Sequence, residues 1–316
     1  MSLITRPRTA SLAVNRGRRA TAKDQRPAWE EPPSRLGSTA KAVVITVLVV
    51  VMLLPFVTVI STSLASQKEI TAAGGFVLFP TEPTFQAYTT ILSGGIVTRA
   101  VLVSLAITIT GTLLSLLTTI TLAYALSKRG VPGAKPVLLL VLFTLLFAPG
   151  MIPMYVLVKE LGLLDSYWAL ILPGLVNAFN LVVMRAFFMN IPEELYQAAR
   201  IDGAGDWRIL TRIVLPLSKG VIAVVGLFYA VTYWNAFFNA MLYLNDTGKW
   251  PIQLVLRTYV VQSKQLNADQ LGITHMPPQQ SISMAVVMLA LLPILALYPF
   301  LQKYFTKGVL TGAIKG

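Results

Sequence analysis

A chain of 316 residues that is 55% hydrophobic and only 12% charged is not a soluble globular protein, since soluble domains carry about 25% charged residues. The absence of cysteine and the single histidine, His275, exclude disulfides, thiol chemistry and histidine-cluster metal centres. The net charge of +13 would suit a polyanionic partner, but its distribution along the chain argues against nucleic acid.

Residues 1–41 are basic and interrupted by proline and small polar residues. They read as a disordered tail, either a solvated segment that helps fix orientation or one that touches anionic lipid headgroups. Six uncharged stretches follow, near 42–60, 100–127, 136–158, 166–184, 220–245 and 281–301. Each is long enough for a bilayer crossing, which takes about 20 apolar residues. Prolines inside them (Pro55, Pro149, Pro153, Pro173, Pro293 and Pro299) are tolerable where neighbouring helices re-satisfy the freed carbonyls. Gly111, Ser115 and Gly226 suit close helix approach.

The expected fold class is therefore an all-α polytopic membrane protein with six transmembrane helices and both termini on one side. Lysine and arginine choose the side. With the termini inside, the inner segments hold 20 of the 26 basic residues and the outer ones 6, so both termini are expected in the cytoplasm. Positive charge is then mostly a matter of topology, and no nucleic-acid partner is expected. Two outer segments, 61–99 and 246–280, are long enough either to cap the bundle or to touch an external partner. The first carries turn and strand signals in FVLFPTEPTF.

The inner segment 190–219 is the one charged, helix-forming island in the second half of the chain. Pro192, Glu193 and Glu194 look like a helix start. Leu195, Ala198 and Ala199 share one face, and Asp202-Gly203-Ala204-Gly205 breaks the helix. Trp207, Leu210 and Val214 give a second apolar face with Ile213 beside it, before Leu215-Pro216 turns into the fifth span. A small amphipathic hairpin that presents small residues is the geometry of a docking element.

This stretch resembles the EAA loop of ABC importer permeases, E-A-A-x3-G-x9-I-x-L-P. It reads here as Gln197-Ala198-Ala199, Gly203, Ile213 and Leu215-Pro216. The flanking ARIDGA and RIVLPLSKG, and the ending from Gln302 to Gly316, resemble the carbohydrate branch, the maltose-permease-like subunits of MalG and LplC type. The likeness runs from about Lys41 to Gly316. It implies a type I (MetI-like) permease fold in a bacterial cytoplasmic membrane. It also implies a second homologous permease, two ATPase subunits, an extracytoplasmic solute-binding protein and a saccharide cargo. The loop, from Gln197 through Asp202, Gly203 and Ala204 to Pro216, would couple to the ATPase. The 246–280 segment would meet the binding protein, and 306–316 would reach the ATPase interface. One departure is Gln197, which stands where the family has glutamate and cannot make an ion pair. The chain contains no G-x-x-x-x-G-K-[ST], so ATP and Mg2+ would be bound by the partner ATPase and no cofactor by this chain, a non-catalytic subunit.

Amides and aromatic rings mark two spans. Asn177 and Asn180 lie at i, i+3 in the fourth, and Tyr233, Trp234, Asn235 and Asn239 lie in the fifth. Rings stack on sugar faces while amides bond hydroxyls, so these are candidates for the translocation path. Interhelical hydrogen bonding is the competing role. No charge lies mid-span, which disfavours ion coupling. The same machinery for a peptide or polyamine remains the alternative.

Overall fold

The computed structural model describes residues 35–128, 130–258 and 278–313, and those residues are helical or irregular, with no strand among them. The chain divides into two compact units, 1–54 and 55–316. Most of the basic tail lies outside the described residues. Its last part does not, because helix α1, Arg35–Ser63, takes in 35–41. Residues 43–54 of α1 are apolar apart from Thr46, and their side chains are exposed. Apolar side chains all round without a core of their own belong in lipid or against another apolar surface.

The second unit continues with α2 (Gln67–Ala72), α3 (Gln86–Leu92) and the long α4 (Gly95–Ser127). Then come α5 (Ala134–Leu146), α6 (Met151–Glu160), α7 (Trp168–Ile171) and α8 (Ala178–Met189). The hairpin helices are α9 (Glu193–Ile201), α10 (Asp206–Ile209) and α11 (Leu215–Leu217). Last are α12 (Lys219–Trp234), α13 (Phe238–Tyr243), α14 (Ile252–Leu256) and α15 (Gln279–Ala313). Among the described residues, three helices are long and apolar enough to cross a membrane. There are up to five spans if each of two bent helix pairs is one.

The prolines sort into two kinds. Pro55, Pro293 and Pro299 stay inside continuous helices. Pro149 and Pro173 do not: 136–158 breaks between α5 and α6, and 166–184 passes through a 3-10 turn, Leu172–Gly174, with a 48° bend. The difference lies in the next residue, since Pro149 and Pro173 are each followed by glycine. Proline removes a helical hydrogen bond, and the adjacent glycine adds its own helix penalty of about 1 kcal/mol, so the pair stops the helix. The fifth stretch, 220–245, is also interrupted, at Asn235–Phe237 between α12 and α13.

Helix α4 is the centre of the second unit. Its buried positions Ala100, Ser104, Ile107, Gly111, Ser115, Thr119 and Ala123 recur every three or four residues and are mostly small. This stripe lets α12 and α8 approach closely. A Cβ at Gly111 would lie 2.8–2.9 Å from the Tyr233 ring. Two hydroxyl rungs tie α12 to α4 and to the stretch from α7 to the start of α8. Tyr233 Oη pairs with Ser115 Oγ at 2.8 Å and donates to the Ile171 carbonyl at 3.2 Å. Four residues earlier, Tyr229 Oη pairs with Thr119 Oγ1 at 2.7 Å and accepts from the Asn177 N–H at 3.0 Å.

At the far end of α4 the connections are folded down, not loose. Ser104 accepts from the Ile252 N–H at 2.8 Å, and Ile252, Leu254 and Val255 of α14 are buried. Asp165 gathers the segment after α13, accepting from the Asn245 and Asp246 N–H groups and from Lys249 at 2.8 Å. The Lys249 contact is the main reason its carboxyl is held below the usual carboxylate range. In the 61–99 segment the stretch with strand signals, 76–85, is irregular and lies between α2 and α3. Glu69 replaces a strand ladder as its organiser, accepting from Thr81, Ser66 and Glu82, and its pKa falls to about 2. Of the 246–280 segment, 259–277 lies outside the described residues, as does 314–316 at the chain end.

Candidate functional site

The island 190–219 forms a hairpin of short helices. Helix α9 starts at Pro192 with Glu193 and Glu194 in its first turn, where carboxylates complement the helix dipole. It ends in a Schellman motif: the Gly203 N–H bonds the Arg200 carbonyl at 3.0 Å and the Ala204 N–H bonds the Ala199 carbonyl at 2.9 Å. Gly203 has φ +76°, and a methyl group added to it would meet nothing within 4 Å, so the backbone conformation, not crowding, requires glycine there.

The residues that share a face in the sequence divide between inside and outside. In α9 only Ala199 is buried, with Tyr196 half-buried beside it, while Leu195, Gln197 and Ala198 are exposed. Tyr196 sets this orientation by donating to the Phe188 carbonyl at 3.4 Å. In the second arm a π-helical turn, Leu210–Val214, widens the register, with the Leu215 N–H bonding the Leu210 carbonyl. Ile209, Leu210 and Val214 therefore face inward and Trp207 is thrown outward, 66% exposed. Ile213, Ala204 and Leu215 are half-buried against the main core. Asp202 and Pro216 are exposed. The result is an outer surface of Leu195, Ala198, Ile201, Gly203 and Trp207, with Ile201 86% exposed.

Two residues of α4 and its end, not singled out in the sequence, tie this hairpin down. Tyr124 donates to the Asp206 carbonyl at 3.2 Å, and Lys128 pairs with the Asp206 carboxylate. The Lys128 hydrogen bond holds the Asp206 carboxyl below its ordinary value. The hairpin then joins α12 through an 85° bend at Ser218. It is thus linked to both helices of the hydroxyl rungs.

The amide candidates separate. Asn235, Asn239 and Tyr233 line one cavity of about 380 Å3 with Phe237, Phe238 and Tyr243. Pro173 and Gly174 form part of its wall, so it sits where the fourth and fifth stretches are both broken. Asn235 and Asn239 meet here across the α12–α13 interruption and not on one continuous helix, because Asn235 caps α12. Its Oδ1 also accepts from Gln253 at 3.4 Å. Arg257 lies over the Phe237 ring at 5.0 Å. The other candidates are engaged elsewhere. Asn177 caps α8, accepting from the Asn180 N–H at 3.1 Å, and Asn180 is buried. Trp234 is buried and donates to the Ala290 carbonyl of α15 at 2.9 Å.

Comparison with known proteins identifies the family and the fold. The profile of the family described as "Binding-protein-dependent transport system inner membrane component" matches residues 133–311. The chain is 48% identical over 268 residues to the polygalacturonan/rhamnogalacturonan transport system permease protein YtcP of Bacillus subtilis (strain 168), covering 84% of this chain and 93% of that one. It is also 48% identical to Protein LplC of the same organism, over 84% of this chain and 90% of the other. A solved chain of a bacterial ABC transporter involved in the import of the acidic polysaccharide alginate superposes with a TM-score of 0.80 at 30% identity, over 88% of this chain and 99% of that chain.

Proposed function

This chain belongs to the binding-protein-dependent transport inner membrane components, and on that premise we propose that it is the membrane-spanning subunit of an ATP-driven oligosaccharide importer in a bacterial cytoplasmic membrane. It crosses six times, counting each broken stretch as one span, with both termini and the 194–216 hairpin in the cytoplasm. The lysine and arginine asymmetry supports that orientation. A second permease completes the pathway, and two ATPase subunits bind ATP and Mg2+. The 246–280 segment receives the external binding protein, and 306–316 reaches the ATPase interface.

The observation that carries this reading is the hairpin. It turns Gln197, Ala198 and Gly203 outward on a rigid Schellman turn and anchors its inner face to α4 and α12. An ATPase gripping the outer face would move both helices together. Gln197 limits that grip to shape and neutral hydrogen bonds. The cavity between the interrupted spans supplies amides and rings for a sugar, as discontinuous helices do in other transporters. Arg257, beside its Phe237 wall, adds a cation that favours an acidic sugar within that class, and the similar solved transporter is involved in the import of the acidic polysaccharide alginate.

The test is binding-protein-stimulated ATPase activity of the reconstituted complex across neutral and uronate oligosaccharides, a peptide and a polyamine. Stimulation by saccharide alone is expected. Stimulation by peptide or polyamine and by no saccharide would overturn the cargo assignment.

A further inference from the structure

A cavity of about 630 Å3 lies between the end of α4, the start of α5 and the last turns of α8. Its lining divides by chemistry. Lys128, Lys135 and Arg185 supply three cations, and Val131, Leu138 and Met189 supply apolar wall; no acidic residue lines it among the described residues. Of the three cations, only Lys128 has a carboxylate partner among the described residues. Arg185 is half-buried and anchored through Nε, which donates to the Leu126 carbonyl at 2.9 Å. That bond fixes the guanidinium at the wall and leaves its terminal amino groups to face a ligand.

The position of the cavity narrows the ligand. The 33-residue apolar α4 stops at Ser127, and the apolar α5 starts at Ala134. The turn between them therefore sits at the boundary between hydrocarbon and water. A soluble anion would use the cations and leave the apolar wall wet. A zwitterionic lipid would use the wall and bring its own cation against three others. An anion joined to an acyl chain satisfies both halves, and basic pockets between spans on the cytoplasmic side are suited to anionic headgroups.

We propose that this cavity binds an anionic phospholipid, its phosphate facing Lys135 and Arg185 and an acyl chain lying along Leu138 and Met189. The inference rests on α4 and α5 crossing the membrane, and not on the cargo or on the ATPase. A lipid bound here would brace the α4 end that Lys128 links to the hairpin.

The test places the full chain in nanodiscs of equal phosphatidylglycerol and phosphatidylcholine, with a photoreactive acyl chain on each lipid in turn. Phosphatidylglycerol label is expected on peptides covering 126–138 and 185–189, with much less from phosphatidylcholine. Lys135→Gln and Arg185→Gln should each lower that label about fivefold, and Lys159→Gln, outside the cavity, should not. Equal labelling by the two lipids would overturn the proposal, as would full label in the double variant or loss of label to inorganic phosphate alone. If the double variant fails to insert, the wild-type comparison of the two lipids decides. Absence of either label from 126–138, with label elsewhere on α4, would overturn the proposal together with the boundary placement.

Discussion

Replacing Gly111 by alanine tests the packing on which the α4–α12–α8 assembly depends. The added methyl would sit 2.8 Å from one Tyr233 ring carbon and 2.9 Å from two others. Ordinary carbon contacts begin near 3.5 Å, so the ring would have to retreat by about 0.7 Å. It has little freedom to do so. Its hydroxyl is held by Ser115 and the Ile171 carbonyl, and Gly174 closes the other side, where a Cβ would be 3.4 Å from Tyr233 Oη. Overpacking of this kind costs about 1–3 kcal/mol, and losing one buried hydrogen bond adds about 1 kcal/mol. Gly111→Ala should therefore destabilise the purified complex by about 2–4 kcal/mol and slow transport, because Tyr233 lines the cavity. The assay is thermal unfolding of the complex in nanodiscs beside uptake in proteoliposomes. In a Tyr233→Leu background the alanine should cost almost nothing, since the clashing ring atoms are gone. Gly220→Ala, in α12 with nothing within 4 Å, is the control expected to be neutral or slightly stabilising. Unchanged melting and uptake in Gly111→Ala would refute the reasoning.

Other outcomes follow from the same geometry. Gly203→Asp should leave the protein in the membrane, because that residue type tolerates positive φ. The new charge on the outer face should lower transport at least tenfold while the hairpin stays folded; ATPase co-purification and uptake at wild-type levels would contradict this. Lys128→Gln should raise amide exchange of the 203–212 peptide up to about fivefold, since a pair whose carboxylate is 66% exposed contributes no more than about 1 kcal/mol. Asp206 has its carboxyl depressed below 3.8, so the pair's contribution is fully present above that pH and is lost as pH falls through the folded value. The exchange difference between wild type and variant should thus be constant at neutral pH and vanish in acid. Asn239→Leu should impair uptake with little effect on melting, and Arg257→Gln should weaken stimulation by uronate more than by neutral oligosaccharides.

Much of this is legible in the sequence because the signals are local. Apolar length marks the helices, and the spacing from Gln197 to Pro216 marks the hairpin with its glycine break. What escapes depends on contacts across the chain or on small changes of register. Ideal helix periodicity groups Leu195 with Ala199, and Trp207 with Leu210 and Val214, whose side chains are buried. A tyrosine bond to Phe188 and one π turn instead put Leu195 and Trp207 outside. The broken spans require the Pro149-Gly150 and Pro173-Gly174 pairs to be read as stops. Asn177 is a pathway amide candidate in the sequence, and its place just before α8 also makes it a cap, which the spacing alone does not reveal. The Tyr229/Tyr233 spacing opposite Ser115/Thr119 is visible as two i, i+4 sets, but which helix each meets is not. Tyr124 and Lys128, which hold Asp206, carry no local signal at all.

On the proposed function, the outer face of the hairpin meets the ATPase. The chain has no cysteine, so Ala198→Cys introduces a unique thiol at an exposed position. A short thiol-specific cross-linker on the reconstituted complex should join Ala198→Cys to the ATPase subunit, and the yield should change with ATP binding. A thiol at Lys159 should give no such product. Failure of Ala198→Cys to cross-link in an assembled, active complex would contradict the account.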